Sequence, residues 1–392
     1  MDGPRASHEC EFDEVISLLN GIFRRGSDQD ILTDYPLVFN HSMLEYMRVV
    51  SVDGVVVAQV PVIPREVIAA GDRFTVGIIS PTATHPDHRH KGYSTLCLQD
   101  CNGIMEEKGW AVSALWTMEG TFPFYQHSGY EAVASQGWMY RLDGEQFELF
   151  EPGPWEIVPY EPAGGHLDAI MKIHEAEAYR IGRTREEYQT LLSLPKINVF
   201  LAMENGEAAG YLLFGEGTNK PGLIEGGGDV GALESLIRYV LEKRVKKGQT
   251  QVLTPLTPTC LGRVMEAKAP RGKRPIEEAD GVGPQMMRIN SLERLLRGIE
   301  NYLRGKSAGL RGDVRLVCEE TGEAVTVEFH DGDVRFSDRA VEDEVVLGRR
   351  RLVQLIFGAY SSAEPVECDS RAGEILRAVF PYYFPIWELD HS

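Results

Sequence analysis

The chain has no uninterrupted apolar run approaching the roughly 18 residues that cross a bilayer, and its first residues do not combine a basic start, an apolar core and a small-residue cleavage site. Membrane insertion and export are therefore not expected, and a cytoplasmic location is. Positive charge is scarce: 40 Lys and Arg stand against 59 Asp and Glu, a formal net charge of -19. Such a field repels nucleic acid and anionic membrane and attracts cationic amines. Cysteine is sparse as well. Cys10, Cys97, Cys101, Cys260, Cys318 and Cys368 are scattered along 392 residues, which fits reduced thiols better than a disulfide framework. Long low-complexity tracts are missing, and 43% hydrophobic with 25% charged residues excludes disordered and linker-dominated architectures.

At 392 residues the chain exceeds what one core organises, so two or three domains are expected. "CEFDEVISLLNGIFRR" has helical spacing, "EYMRVVSVDGVVVAQVPVIPREV" reads as two strands joined at Asp53-Gly54, and "DRFTVGIISPTATHP" reads as a third. A helix through "STLCLQDCNGIMEEKG", a strand in "AVSALWTM", a turn or short helix through "TFPFYQHSGY" and a closing strand in "GWMYRL" complete a mixed α/β domain over 1–150. The next segment, 151–288, repeats part of the pattern, with "HLDAIMKIHEAEAYR" helical and a hairpin turning at Asn205-Gly206. It reads as a diverged copy. From 289 to 392 the composition shifts to a separate α+β domain, with the charged, turn-rich "GKRPIEEADGVGP" before it.

"HPDHRHKGYS", residues 85–94, carries the densest chemistry. His85, His88 and His90, with Cys97 and Cys101 nearby, supply enough donors for a metal, but their spacing matches no known structural zinc pattern, and no metal is expected. Two cysteines at i, i+4 also describe small side chains packed on a sheet. A phosphate reading uses other atoms. A glycine loop opening a helix presents backbone N–H groups and the positive end of the helix dipole; Gly92 permits close approach, Arg89 and Lys91 add fixed charge, and His90 adds more when protonated. The decamer alone leaves a phosphate cradle and a solvated basic turn both open. In the second copy the corresponding "EGGGDVGALES" sets Glu225 and Asp229 around its glycines, where a phosphate would meet carboxylates.

"Arg89-His90-Lys91-Gly92-Tyr93-Ser94" resembles the Gln/Arg-x-x-Gly-x-Gly/Ala coenzyme A loop of the GNAT acetyltransferase superfamily, with Ser94 at the position of the last small residue. "FYQHSGY", Phe124 to Tyr130, resembles that superfamily's aromatic-Tyr-x-x-x-Gly-aromatic element, about 30 residues downstream, as it should be. An acetyltransferase domain, a motif-poor copy and a sterol-carrier-like third domain together resemble the enhanced intracellular survival (Eis) family over nearly the whole chain. For the third domain the likeness rests on "DVRFSD", "RRLVQLIFG" and "FPYYFPIWELD".

The resemblance implies tandem GNAT folds, each a mainly antiparallel sheet flanked by helices, and direct transfer from acetyl-coenzyme A to an amine. The acceptor would be a cationic small molecule, aminoglycoside- or polyamine-like, or a protein lysine, and the assembly a homo-oligomer, hexamer or trimer. It further implies that the backbone at Thr82, Ala83 and Thr84 bonds the pantetheine arm, that Arg89 to Ser94 hold the pyrophosphate, and that Tyr125 is the general acid. The terminal carboxylate, here on Ser392, would be the base; His391, Asp390 and Glu119 are alternatives. Because the chain ends "ELDHS" and not in an aromatic residue, an aminoglycoside pocket would be built differently. A second reading makes the protein a lipid carrier working through its C-terminal domain, the GNAT folds being scaffold.

Overall fold

Asp53 and Gly54 both take positive φ, 53° and 81°, as do Asn205 and Gly206 at 52° and 85°. Two successive residues of this kind make the type I′ turn whose twist suits a two-residue hairpin, and both turns fall where Asp-Gly and Asn-Gly predict them. Ala70 and Gly71, at 52° and 97°, close a third hairpin that no such dipeptide announces.

The computed structural model describes residues 1–27, 29–216, 221–277, 283–342, 344–360, 370–386 and 389–390. Its contacts define two units, Met1–Ser135 with Glu277–Tyr383 and Gln136–Ile276 with Phe384–Ser392.

The first unit begins with β1 (Asp2–Ala6), α1 (Phe12–Phe23), α2 (Ile31–Asp34), β2 (Met47–Val52), β3 (Val55–Ala69), β4 (Asp72–Ile79) and β5 (Ala83–Thr84). It continues through α3 (Tyr93–Lys108), β6 (Val112–Trp116), α4 (Phe122–Gln126) and β7 (Glu131–Ala132). Residues along β3 are buried on both sides of the pleat, as a sheet covered on both faces requires. Cys97, Leu98, Cys101 and Met105 of α3 pack on Val60 and Val62 of β3.

The second unit comprises β8 (Gly137–Asp143), β9 (Glu156–Pro159), α5 (Leu167–Glu175), β10 (Tyr179–Gly182), α6 (Arg185–Leu192), β11 (Ile197–Glu204) and β12 (Glu207–Glu216). After them come β13 (Pro221–Gly228), α7 (Val230–Val240), β14 (Gln249–Pro255), α8 (Cys260–Lys268) and β15 (Lys273–Pro275). Its sheet runs β15-β8-β14-β13-β12-β11-β9. Leu233, Leu236, Ile237 and Val240 of α7 fill its core against Leu212 and Val252.

The "GWMYRL" strand departs from the sequence expectation. β8 does not close the first sheet but pairs with β14 over seven residues, from Gln249↔Asp143 to Pro255↔Gly137. Its place beside β6 is taken by β16 (Gln285–Ile289), from Gln285↔Trp116 to Ile289↔Val112, and the first sheet reads β1-β2-β3-β4-β6-β16-β7. Period-two burial tells that a segment is a strand, not which distant edge it joins.

The chain then adds α9 (Leu292–Gly298), α10 (Glu300–Lys306), β17 (Arg311–Cys318), β18 (Ala324–His330), β19 (Val334–Ser337), β20 (Glu344–Leu347), α11 (Arg349–Phe357) and α12 (Arg371–Val379). β19-β18-β17-β20 form a four-stranded sheet in which β17 and β20 run parallel. This α+β part lies in the same unit as the first sheet. Asp72, at the start of β4, accepts the Asn301 and Tyr302 N–H groups at 2.7 and 2.8 Å, capping α10 where its orphan donors lie. The apolar run "LVQLIF" is spent on packing: Leu352, Val353, Ile356 and Phe357 of α11 are fully buried. Among the described residues no helix is long and apolar enough to cross a membrane.

Candidate active site

β4 and β6 pair in parallel only from Val76↔Val112 to Ile78↔Ala114. Between Val62↔Ile79 and Gln59↔Ala83, β3 uses Val60 and Pro61 where the opposing chain uses Ser80, Pro81 and Thr82. That extra residue is a β-bulge, which bends the chain and re-aims side chains. The two strands therefore fork beyond Ile78 and Ala114, with Thr82 on one arm and Thr117 on the other.

Tyr125 of α4 sits at this fork. It is 8% exposed and meets Phe124 and Tyr130 edge-to-face at 4.7 and 6.0 Å. Burial raises its pKa, and the hydroxyls of Thr82 and Thr117 beside the phenol oppose that rise without cancelling it. The buried Thr82 Oγ1 makes no full hydrogen bond; Thr117 Oγ1 bonds Thr121 Oγ1 at 2.5 Å. The arrangement holds a neutral phenol at neutral pH, with its proton available for donation.

At the other end of the segment, α3 starts on Gly92 with φ +80° and no side-chain cap. Ser94 turns its hydroxyl back to Thr84 Oγ1 and Ala83 O, leaving the first-turn N–H groups without a capping side chain. A Cβ built on Gly92 would meet nothing within 4 Å, so the space before the helix is open. Arg89, His90 and Lys91 are exposed around it. Backbone donors, helix dipole and fixed charge are the groups with which such a helix start could hold an anion.

The sequence-predicted residues divide between these two places. His85 N–H donates to Val57 O at 2.8 Å, so by strand alternation the Ala83 N–H also faces β3 while those of Thr82 and Thr84 face the opposite side. Of the three expected to meet pantetheine, Thr82 and Thr84 have donors on that open side. Ser94 keeps only its backbone for a ligand, and the half-buried Tyr93 ring lies 6.2 Å from that of His88. His85 Nδ1 accepts the Asp87 N–H at 3.3 Å, as a local turn. Cys97 and Cys101 face the core: burial pushes Cys97 up to about 12 and raises Cys101 well above the usual thiol value. Among the described residues no group of three or more His, Cys, Asp and Glu could hold a metal ion.

Of the base candidates, Glu119 accepts from Tyr360 hydroxyl at 2.6 Å. Asp390 accepts from Arg183 Nε at 2.8 Å inside the second unit. His391 and Ser392 lie outside the described residues.

Two contributors escaped the sequence motifs. Thr117 became visible only with the fork. Arg288 of β16 donates from Nε to Ser128 O at 2.9 Å and from Nη2 to Glu106 Oε1 at 2.6 Å, tying the chain just beyond α4 to α3. An arginine in the strand "QMMRI" was its only signal.

Residues 4–133 match the acetyltransferase (GNAT) domain. A GCN5-related N-acetyltransferase from Anabaena variabilis superposes with a TM-score of 0.72 at 13% identity, covering 97% of each chain. A probable N-acyltransferase from Enterococcus faecalis gives 0.69 at 16% identity over 97% of each, and Eis1 from Mycobacterium abscessus gives 0.61 at 13% over 99% of each. At these identities the structures share a fold. No curated protein sequence matches the chain. The domain match supplies the chemistry: residues 4–133 are a GNAT acetyltransferase domain, and the chain is an acyltransferase.

Proposed function

We propose that the first unit transfers an acetyl group from acetyl-coenzyme A directly to an amine. The observation that supports this most is the placement of a buried, neutral Tyr125 phenol at the β4/β6 fork, with an open, uncapped helix N-terminus ten residues beyond Thr82. The residues fit the cosubstrate: Thr82 has an orphaned hydroxyl, Gly92 leaves room, and Arg89, His90 and Lys91 match a pyrophosphate's charge. When bound, acetyl-coenzyme A supplies a thioester carbonyl open to attack by nitrogen.

In the transfer, a bond forms between the acceptor nitrogen and the acyl carbon, and the carbon–sulfur bond breaks. Tyr125 gives its proton to the departing sulfur. Backbone N–H groups of Thr82 and Thr84 orient the acyl carrier and polarise its carbonyl, while Arg89 through Ser94 hold the pyrophosphate. The proton lost by the amine passes to the C-terminal segment, to the Ser392 carboxylate by resemblance to the Eis family.

A cationic small molecule, aminoglycoside- or polyamine-like, or a protein lysine is the acceptor this reading favours, since net charge -19 concentrates cations around the molecule. A homo-oligomeric, cytoplasmic enzyme and a sterol-carrier-like C-terminal region belong to the same reading by resemblance. The lipid-carrier alternative gains nothing from the structure, because the α11 apolar face is already packed.

A panel of amines incubated with acetyl-coenzyme A and read by thiol release tests the reading. Release dependent on a cationic amine is expected; no release with any amine, from protein that binds coenzyme A, would contradict it.

A further inference from the structure

The sheet of the second unit also forks, and its fork holds a small cavity. β13 and β14 pair in parallel only at Leu223↔Val252, and beyond that register a space of about 60 Å³ opens between Glu225 on one arm and Thr254 on the other. A single water needs about 10 to 15 Å³, so there is room for a larger group. Coenzyme A is not that group. α7, the helix after β13, is capped by its own Asp229, whose Oδ1 accepts the Ala232 N–H at 3.0 Å, and a pyrophosphate would meet this carboxylate.

His174 of α5 forms one wall of the cavity. The residue is 5% exposed, and its Nδ1 is hydrogen-bonded with the Tyr188 hydroxyl at 2.7 Å. Tyr188 lies outside the lining, so the opposite edge of the ring, with Nε2, faces the cavity. There Glu225 Oε2 stands 4.0 Å away, beyond hydrogen-bond reach. Burial keeps the imidazole neutral, and the tautomer that donates Nδ1–H to Tyr188 leaves Nε2 an acceptor. Two acceptors spaced in this way can share one donor nitrogen about 2.8 to 3.0 Å from each.

Charge selects the kind of donor. Glu177, Glu225 and Asp390 line the cavity, with Arg180 on its wall. Arg183, 2% exposed, donates to Glu225 Oε1 and Oε2 at 3.1 and 2.7 Å and to Asp390 Oδ1 at 2.8 Å. Three carboxylates against two guanidiniums leave one negative charge in excess. Arg180 gives Nη1 to the Glu177 carbonyl at 2.6 Å. Glu177 Oε1 accepts the Cys260 N–H at 2.9 Å, while Arg263 stands 4.0 Å from Oε2 with its side chain 58% exposed, where water screens it. Burial holds the Glu177 carboxyl above its usual pKa, the behaviour of a carboxylate short of a counter-charge. Tyr179 and Tyr211 add aromatic lining, which suits a desolvated cation.

We propose that this cavity binds the ammonium head of a primary alkylamine, shared between His174 Nε2 and Glu225 Oε2. Every group it uses belongs to the second unit, and binding there requires no acetyl transfer.

Hydrogen exchange of the full-length protein, with methylammonium as the probe, tests the site. Two non-hydrogen atoms bind no more tightly than the millimolar range, so the titration runs to about 100 mM at constant ionic strength. At ten times its midpoint concentration methylammonium should slow exchange across 172–181 and 223–228 by about tenfold. Tetramethylammonium, which has the charge but no N–H, and acetate should not. Glu225→Gln keeps an oxygen for Tyr211 and Arg183 but loses the charge, and His174→Phe keeps a ring but loses Nε2; each should raise the midpoint by about tenfold or more. Should His174→Phe fail to fold, Glu225→Gln decides. No slowing by methylammonium, equal slowing by tetramethylammonium or acetate, or an unchanged midpoint in Glu225→Gln would overturn the site.

Discussion

Glu119 and Tyr360 are joined by a 2.6 Å hydrogen bond across 241 positions of sequence. The carboxylate that follows β6 is therefore engaged by a phenol from the chain beyond α11, and it remains solvent-exposed. If the proton acceptor lies on the C-terminal segment, Glu119→Gln retains kcat within about threefold, whereas loss of a true general base costs about a hundredfold or more. Steady-state kinetics at saturating amine decide between them.

The cradle before α3 makes a separate prediction. Arg89 and Lys91 are exposed, so their replacement by alanine should leave folding intact while weakening coenzyme A binding by about tenfold, with a flatter salt dependence than wild type. Gly92→Ala has room for its methyl group but not the backbone: φ +80° costs an L-residue about 1 to 2 kcal/mol. It should weaken the same binding. Calorimetric titration with coenzyme A measures both, and an unchanged dissociation constant in the double variant would remove the cradle.

The Asp53-Gly54 and Asn205-Gly206 hairpins and the α3 start were legible in the sequence because each is local: the two dipeptides dictate their own φ, and Gly92 marks its own helix. The exchange of β8 and β16 between sheets was not, since the partners of both strands lie far along the chain. The same limit hid Thr117, Arg288 and the Arg183 cluster. A hydroxyl or guanidinium acquires its role only from what packs against it, and the Arg183–Asp390 contact spans 207 positions.

His174 gives a prediction for stability. Its Nδ1 is hydrogen-bonded with Tyr188 hydroxyl at 2.7 Å, and burial, aided by Arg183, holds its pKa down from 6.5 to about 4. The unfolded chain takes up a proton near pH 6.5 that the folded chain refuses. The stability from this group is complete above that pH and is lost as pH falls from 6.5 toward 4, about 3 kcal/mol in all. His174→Gln should flatten the fall in melting temperature of the second unit over this window. An equally steep fall would show that other groups govern it.

The account stands most directly on Tyr125→Phe. The substitution removes one oxygen and keeps the ring against Phe124 and Tyr130, so binding and folding should persist. Measured together, kcat for acetyl transfer and the dissociation constant of coenzyme A should separate: kcat falls by about a hundredfold or more while the dissociation constant stays within about twofold of wild type. Undiminished kcat would contradict the account.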